Sequence, residues 1–451
     1  MISLFRTVLF VLGNPVKTFV LAFSLLTIPS VRAAEWPQFR GPDGQGHSAA
    51  TALPLTWSET ENIKWKTEIP GEGHSSPVIS GDQIWLTTAI IDQLSEEEEK
   101  QRLSQVKNPQ GLKLAGALSL QAVLINLQAG TLEKQITLFR VAEPEPKHSL
   151  NSYASPTPVI AGDMVYFHFG TYGTACLKRT TGELVWKNDA VHVDHQNGPG
   201  SSPVVWQDLL IVHFDGIDTQ FLTAFDRHTG KVRWQTKRSG EMDPKPEFQK
   251  AYGTPLVVES NDRPIVISPA ANWVYGYDAR DGSEIWKAHY GKLGFSTVPR
   301  PVAEDGIVYI STSFIQPRLL AVDYSGQGDV TESHRKWTSD KQAPRKPSML
   351  IIKGHLYTVT DNGIAACLNA ADGSEIWKAR LTGDFSASPL YAAGRIYFFG
   401  QNGGTTVLAE GPELQELARN HLDAGFMASP AVADDALILR TEKALYRIQA
   451  E

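Results

Sequence analysis

One short motif recurs along the chain and constrains the fold more than any other feature. The octapeptide DGSEIWKA occurs twice, around Trp286 and Trp377. Looser copies end in Trp186 and Trp234, and each of the four has glycine four positions before the tryptophan and a polar residue eight positions before it. Recurrence at roughly 40–50 residues indicates a fold built by stacking copies of one structural unit.

A second element precedes the tryptophan motif and completes the unit. It is a small residue, usually followed by proline, and then an apolar run, a Gly or Asp turn and a β-rich run. Such a unit has four strands and cannot bury both faces alone, so its copies must pack around an axis. The sequence therefore predicts an all-β, eight-bladed β-propeller, whose eight copies of this element begin near Ser76, Thr157, Ser202, Thr254, Arg300, Pro347, Ser388 and Ser429.

The two ends of the repeat region complement one another. The eighth copy, residues 429–448, has no tryptophan strand. Residues 62–67 instead form a tryptophan strand around Trp65 that is not preceded by the other three strands of a unit. We expect these strands to pair and close the last blade, which removes an open sheet edge. The domains predicted are a leader at 34–56 and a propeller at 57–451, with a polar insertion at 92–113 in the first blade.

The recurring tryptophans are interpreted as structural wedges between blades, because the position repeats around the ring whereas a ligand needs it once. Trp36, in the leader before the ring, is expected to contribute less to stability. The predicted wedges are Trp65, Trp186, Trp234, Trp286, Trp337 and Trp377.

Residues 1–33 have the pattern of a signal peptide. Arg6 and Lys17 precede an apolar run at 18–28, and small residues follow around Ala33. The alternative is an uncleaved membrane anchor. We expect cleavage and export to the periplasm or the medium, with no transmembrane span after cleavage.

The charge and cysteine content narrow the functional classes. With 42 Lys+Arg against 49 Asp+Glu the chain has a formal charge of −7, which argues against a nucleic-acid partner. The segment His192–Asn197 holds two histidines and an aspartate, but no third fixed ligand is apparent, so we predict no metal site. We expect a monomer.

The start of each innermost strand should lie at one mouth of the central channel. The Ser and Thr hydroxyls there, with three cations at the same mouth, could hold an anionic or sugar-like ligand. We favour the alternative that these residues are small so that eight strands can crowd the axis. Larger residues at this mouth could bind a small polar or anionic ligand or a protein partner. The candidates are His74, Tyr252, Arg300, Arg345 and Lys346; no catalytic residue is assigned.

The repeats resemble those of the pyrroloquinoline quinone (PQQ)-binding-like propeller family, which includes quinoprotein alcohol dehydrogenases and BamB-like assembly proteins. The resemblance covers residues 57–451 and implies two functions: a non-catalytic exported scaffold or ligand-binding module, or alternatively a reduced oxidoreductase that uses PQQ with calcium. The quinoprotein enzymes usually carry an adjacent cysteine pair, whereas Cys176 and Cys367 are far apart in sequence. We therefore expect no cofactor. Acidic side chains beside a tryptophan platform in the channel would favour the enzyme, and an uncovered channel with an apolar rim would favour the scaffold.

Overall fold

Eight antiparallel sheets, numbered here as blades 1–8 in chain order, make up the protein in a computed structural model that describes residues 34–260, 262–291 and 294–450. Each blade has four main strands, so the predicted all-β, eight-bladed β-propeller is confirmed. The predicted signal segment, residues 1–33, lies outside the described residues.

In blades 1–7 the chain runs from the innermost strand outward. The strands are Val78–Ser80, Gln83–Asp92, Ala117–Asn126 and Leu132–Val141 in blade 1; Val159–Ala161, Met164–His168, Thr174–Lys178 and Leu184–Asn188 in blade 2; Val204–Trp206, Leu209–Asp215, Gln220–Asp226 and Val232–Lys237 in blade 3; Leu256–Ser260, Arg263–Pro269, Trp273–Asp278 and Glu284–His289 in blade 4; Val302–Glu304, Ile307–Ser311, Leu319–Asp323 and Arg335–Ser339 in blade 5; Leu350–Ile352, His355–Val359, Ile364–Asn369 and Glu375–Arg380 in blade 6; and Leu390–Ala392, Arg395–Phe399, Gly404–Ala409 and Glu416–His421 in blade 7.

Blade 8 combines the two ends of the propeller sequence. Its inner three strands are Ala431–Ala433, Ala436–Arg440 and Ala444–Ile448, and its outermost strand is Ile63–Glu68. The strands Ala444–Ile448 and Ile63–Glu68 pair antiparallel, with Thr67 opposite Leu445.

Burial follows the position of a strand within its blade. The second strand of blade 3, Leu209–Asp215, is buried at every residue because neighbouring blades cover both of its faces. The outermost strand Ile63–Glu68 instead alternates half-buried and exposed residues. The core therefore lies between blades, as a series of apolar clusters that bridge adjacent sheets.

The glycine and the tryptophan of the repeat meet across neighbouring blades. Trp186 Nε1 of blade 2 donates a hydrogen bond to the Arg227 carbonyl of blade 3 at 2.8 Å. Gly230, in that same blade 3 turn, has a φ of 70°, and a Cβ atom there would overlap the Trp186 ring. Glycine is thus required both by the turn and by the tryptophan.

The other predicted wedges are placed similarly. Trp65, Trp337 and Trp377 donate to the carbonyls of Leu127, Ala370 and Gly411 in the next blade, at 2.9, 2.8 and 3.1 Å respectively. The Trp234 ring lies against Gly282 of blade 4. Trp286 is fully buried, between Gly276 of its own blade and the apolar cluster that includes Val330.

The polar insertion in blade 1 contains a helix and a short strand. The helix Glu96–Leu103 begins at Ser95, whose hydroxyl accepts the Glu98 N–H while the Glu98 carboxylate accepts the Ser95 N–H, which is a capping box. Residues Leu112–Lys113 then pair with Lys147–His148. Short 3-10 helices at Gly170–Tyr172 and Pro246–Phe248 complete the helical content of the described residues. Within that same part of the chain, no helix is both long and apolar enough to cross a bilayer.

The leader is part of the folded propeller. Glu35–Trp36 pairs with the innermost strand of blade 1, and His47–Ser48 pairs in parallel with that of blade 7. Trp36 is only 2% exposed and packs in the cluster shared by blades 1, 7 and 8. The expectation for Trp36 rested on a leader that only precedes the ring, whereas the leader adds a strand to a sheet, so we expect Trp36 to contribute to stability as the buried tryptophans of the repeats do.

Candidate ligand-binding cup

A ring of hydroxyl groups joins the blades around the channel. In seven blades the residue two positions before the innermost strand is Ser or Thr, and its oxygen accepts the corresponding backbone N–H of the preceding blade; Thr157 N, for example, donates to Ser202 Oγ at 2.9 Å. Equivalent bonds of 2.9–3.0 Å repeat around the ring. We call these residues the hydroxyl ring: Ser76, Thr157, Ser202, Thr254, Ser348, Ser388 and Ser429.

Arg300 occupies the eighth position and breaks the pattern. It has no hydroxyl, and instead its Nε donates to the Pro255 carbonyl of blade 4 at 3.1 Å. Its guanidinium turns toward the leader, where Nη1 and Nη2 donate to Phe39 O at 2.6 Å and Gln38 Oε1 at 3.2 Å. Arg300 was predicted at the channel mouth as a ligand-binding group. It lies buried at the opposite end instead, since the leader supplies its acceptors.

The leader closes that opposite end of the channel. It accepts hydrogen bonds from residues that follow a ring residue by three positions in the sequence. Ile160 N donates to Pro37 O, and Tyr391 N donates to Gly46 O. Arg40 is 2% exposed and donates through Nη2 to Gln45 O and to Met349 O of blade 6. Burial lowers the pKa of Arg40 to about 9, and the neighbouring Arg300 cation acts in the same direction. The channel is thus a blind cup.

The cup opens at the mouth predicted from the sequence and encloses about 860 Å³. Phe39 of the leader and the seven residues of the hydroxyl ring line it. The other four predicted binding residues all line the cup: His74, Tyr252, Arg345 and Lys346.

An apolar rim surrounds part of the mouth. In the described chain ten large apolar side chains are exposed, and four of them line the cup: Leu150 and Phe314 at 50%, Ile315 at 43% and Val298 at 37%. Phe314 packs edge-on against Phe295 with ring centres 5.8 Å apart, so the rim continues into the wall. Four of the ten exposed apolar side chains are thus gathered at this one cavity.

The cup carries a small excess of positive charge. Three cations, Lys250, Arg345 and Lys346, line it together with two carboxylates, Glu247 and Asp361. Asp361 already accepts the Arg345 backbone N–H at 2.7 Å and lies 3.5 Å from Lys346 Nζ. Burial lowers the pKa of Lys250 to about 8, so this amine is still mainly charged at pH 7.

His74 and Tyr252 supply surface to the cup, not charge. Burial, together with the Arg440 and Lys147 cations, lowers the pKa of His74 to about 3, so its imidazole is neutral at pH 7. The Tyr252 hydroxyl donates to the His195 carbonyl at 2.6 Å and is therefore already engaged.

The histidine segment 192–197 forms part of the neighbouring wall. His195 is buried, and its Nε2 accepts the Thr171 N–H at 3.2 Å. Among residues 34–260, 262–291 and 294–450, no group of three or more His, Cys, Asp or Glu side chains is arranged to hold a metal ion. Asp194 of this segment lies near the carboxyl group of Glu145. Burial raises the pKa of Glu145 to about 7, and the negative charge of Asp194 is the second cause of this increase.

Comparison with known proteins places the chain in a family. The family model described as outer membrane protein assembly factor BamB matches residues 140–347 and 333–443, which is more than half of the chain. The protein belongs to this family. BamB of Yersinia pestis is 24% identical over 204 residues, which are 41% of this BamB-family chain and 48% of the relative. The match thus spans about half the length of that relative.

Solved structures share the fold of this BamB-family chain. BamB from Moraxella catarrhalis aligns with a TM-score of 0.51 at 12% identity, covering 80% of this chain and 99% of that one. A europium-containing methanol dehydrogenase aligns with a TM-score of 0.61 at 10% identity, over 92% and 89%. The quinohemoprotein alcohol dehydrogenase ADHIIG of Pseudomonas putida HK5 gives 0.57 at 10%, over 93% and 81%. At these identities the likeness shows the fold alone.

Proposed function

We propose that this protein is an exported, non-catalytic propeller that binds a protein partner at the cup. The observation that carries the proposal is the apolar rim beside the cationic mouth. Leu150, Val298, Phe314 and Ile315 are exposed apolar side chains that line one cavity beside cations, and protein interfaces combine apolar and polar groups in this way. The related Yersinia pestis protein is described as an assembly factor, which agrees with a docking role.

The lining of the cup does not fit a calcium-assisted quinone. None of its described lining residues is tryptophan, and one of its two carboxylates, Asp361, is already paired with Lys346. The two cysteines are free and buried in blades 2 and 6. These features support the docking function over the oxidoreductase alternative.

The first test is enzymatic. Protein beginning at Ala34 should show neither a change in the absorption of added PQQ nor dye-coupled oxidation of alcohols or sugars when PQQ and calcium are supplied. Cofactor-dependent turnover that is lost on changing Asp361 or Glu247 would establish the oxidoreductase instead.

The second test concerns docking. Affinity purification from the source cells, followed by mass spectrometry, should identify a partner that the Phe314→Asp variant no longer retains. Leu184→Asp is the matched control, since Leu184 is equally exposed, at 48%, but lies on the outermost strand of blade 2, away from the cup. Equal retention by both variants would place the docking surface elsewhere.

A further inference from the structure

We propose that the occupant of the cup is the C-terminal end of a polypeptide, with its terminal carboxylate directed at the hydroxyl ring. This inference rests on the proposed docking function and specifies what part of the partner enters the channel. Three independent features carry it: the unused donors of the ring, the closed floor, and the charge of the mouth.

The hydroxyl hydrogens of the ring are available as hydrogen-bond donors. Each of its seven oxygens accepts a backbone N–H, but none of the seven O–H groups donates to any described atom of the protein. All seven residues line the cup. A hydroxyl whose oxygen is already engaged still offers its hydrogen, so the ring presents donors to whatever lies on the axis. A carboxylate, which only accepts hydrogen bonds, is complementary to such a ring.

The closed floor selects a chain end. Phe39 and the leader lie across the channel below the ring, so a polypeptide cannot thread through it and enters either as a chain end or as a loop. Of these two, the chain end is the narrower and brings a terminal carboxylate to the ring. The cavity of about 860 Å³ accommodates several residues of such an end. The four exposed rim residues lie where apolar side chains just before that terminus would make contact.

The charge at the mouth selects which end. Lys250, Arg345 and Lys346 outnumber Glu247 and Asp361, although the protein as a whole is acidic with a formal charge of −7. Arg345 also stacks over Phe314 at 5.7 Å, which holds a cation next to the apolar rim. A local cationic site on an acidic protein favours a carboxylate and disfavours an N-terminal amine.

The test uses two libraries of acetylated hexapeptides with randomised sequence, identical except that one has free C-terminal carboxylates and the other C-terminal amides. Both are passed over immobilised protein that begins at Ala34, and retained peptides are quantified by mass spectrometry. We expect at least about tenfold more retention of the free acids, since a charge-assisted hydrogen bond contributes that order of affinity. The double variant Arg345→Gln/Lys346→Gln should lose this preference.

Arg318→Gln/Lys341→Gln is the matched control. It removes the same two charge types from an exposed site outside the cup, so the preference for free acids should persist. Equal retention of acids and amides, or of neither, would overturn the C-terminal inference while leaving rim-dependent docking, measured separately with Phe314→Asp, intact. Displacement of bound peptides by PQQ with a spectral change would overturn both and assign the cup to the quinone.

Discussion

Single residues of the hydroxyl ring combine small size with a specific hydrogen bond. The sequence interpretation favoured close packing for these Ser and Thr residues over a role in ligand binding. Their oxygens also accept backbone N–H groups from the neighbouring blade, so each links two blades through one atom. Thr serves as well as Ser because both present a hydroxyl on Cβ.

Substituting a residue of the hydroxyl ring should therefore lower the free energy of unfolding more than substituting the adjacent serine outside the ring. Ser202→Ala removes the acceptor of the buried Thr157 N–H, and we expect a loss of about 1–3 kcal/mol in the free energy of unfolding, measured by denaturant titration. Ser202→Thr should restore most of it. Ser201→Ala should cost little, since the Ser201 hydroxyl is buried without a partner. Similar losses for Ser201→Ala and Ser202→Ala would contradict this role of the ring.

Glu145 should make stability depend on pH. Its folded-state pKa of about 7 lies above the ordinary value of 4.5, because burial and Asp194 disfavour the ionised form. The folded protein therefore binds this proton more tightly than the unfolded chain, so the contribution of Glu145 to stability should fall as the pH rises from about 4.5 to 7 and level off above that. Buried histidines such as His74, whose pKa is lowered, act with the opposite sign over this range, so the measurement is the difference in melting temperature between the parent protein and Glu145→Gln at each pH. This difference should shift in favour of Glu145→Gln as the pH rises; a difference that does not change with pH would contradict the role of Glu145.

Trp36 and Trp286 should be equally important despite their different origins. Both side chains are among the largest that are fully buried, one in the leader and one in a repeat. Replacing either by alanine should cost about 3–5 kcal/mol, as large-to-small changes in a packed interior do. Denaturant midpoints of the two variants provide the comparison, and a near-native midpoint for Trp36→Ala would show that the leader is dispensable for stability.

At the scale of elements, the leader and the outermost strand of blade 8 have separable roles. Deleting residues 34–70 removes Ile63–Glu68 and exposes the edge of Ala444–Ile448, so we expect aggregation. Deleting only residues 34–48 keeps that strand and should give a soluble protein with a lower melting temperature. Size-exclusion chromatography and melting curves distinguish the two. A monomeric longer deletion with an unchanged melting temperature would show that this strand is unnecessary.

The strands could be predicted from the sequence because turn residues mark the ends of the strands in each repeat. Glycine turns and tryptophan strands recur at fixed spacing, and each predicted innermost strand is present. The leader could not be placed, because Glu35–Trp36 and His47–Ser48 are two-residue strands whose partners lie in distant parts of the sequence. The rim was missed for the same reason: Leu150, Val298 and Phe314 belong to unrelated loops that only the closed ring brings together.

For the whole molecule, the two thiols should report global unfolding. Cys176 and Cys367 are buried in blades 2 and 6, and burial raises their pKa values to about 12 and about 11. An intact propeller should react slowly with a thiol reagent, and denaturant should expose both thiols together. Fast reaction of one thiol in native buffer would indicate that its blade opens separately.

Arg300 gives a nearly eightfold arrangement a unique orientation. Seven positions of the ring are chemically alike, so a segment that lies across the axis would find several almost equivalent docking angles. The single guanidinium, bound to Phe39 O and Gln38 Oε1, acts together with the strand pairings to blades 1 and 7 to fix the one direction in which the leader crosses the channel. An unsymmetrical ligand that reaches Phe39 from the mouth therefore meets a floor with one defined direction, although the walls above it repeat from blade to blade.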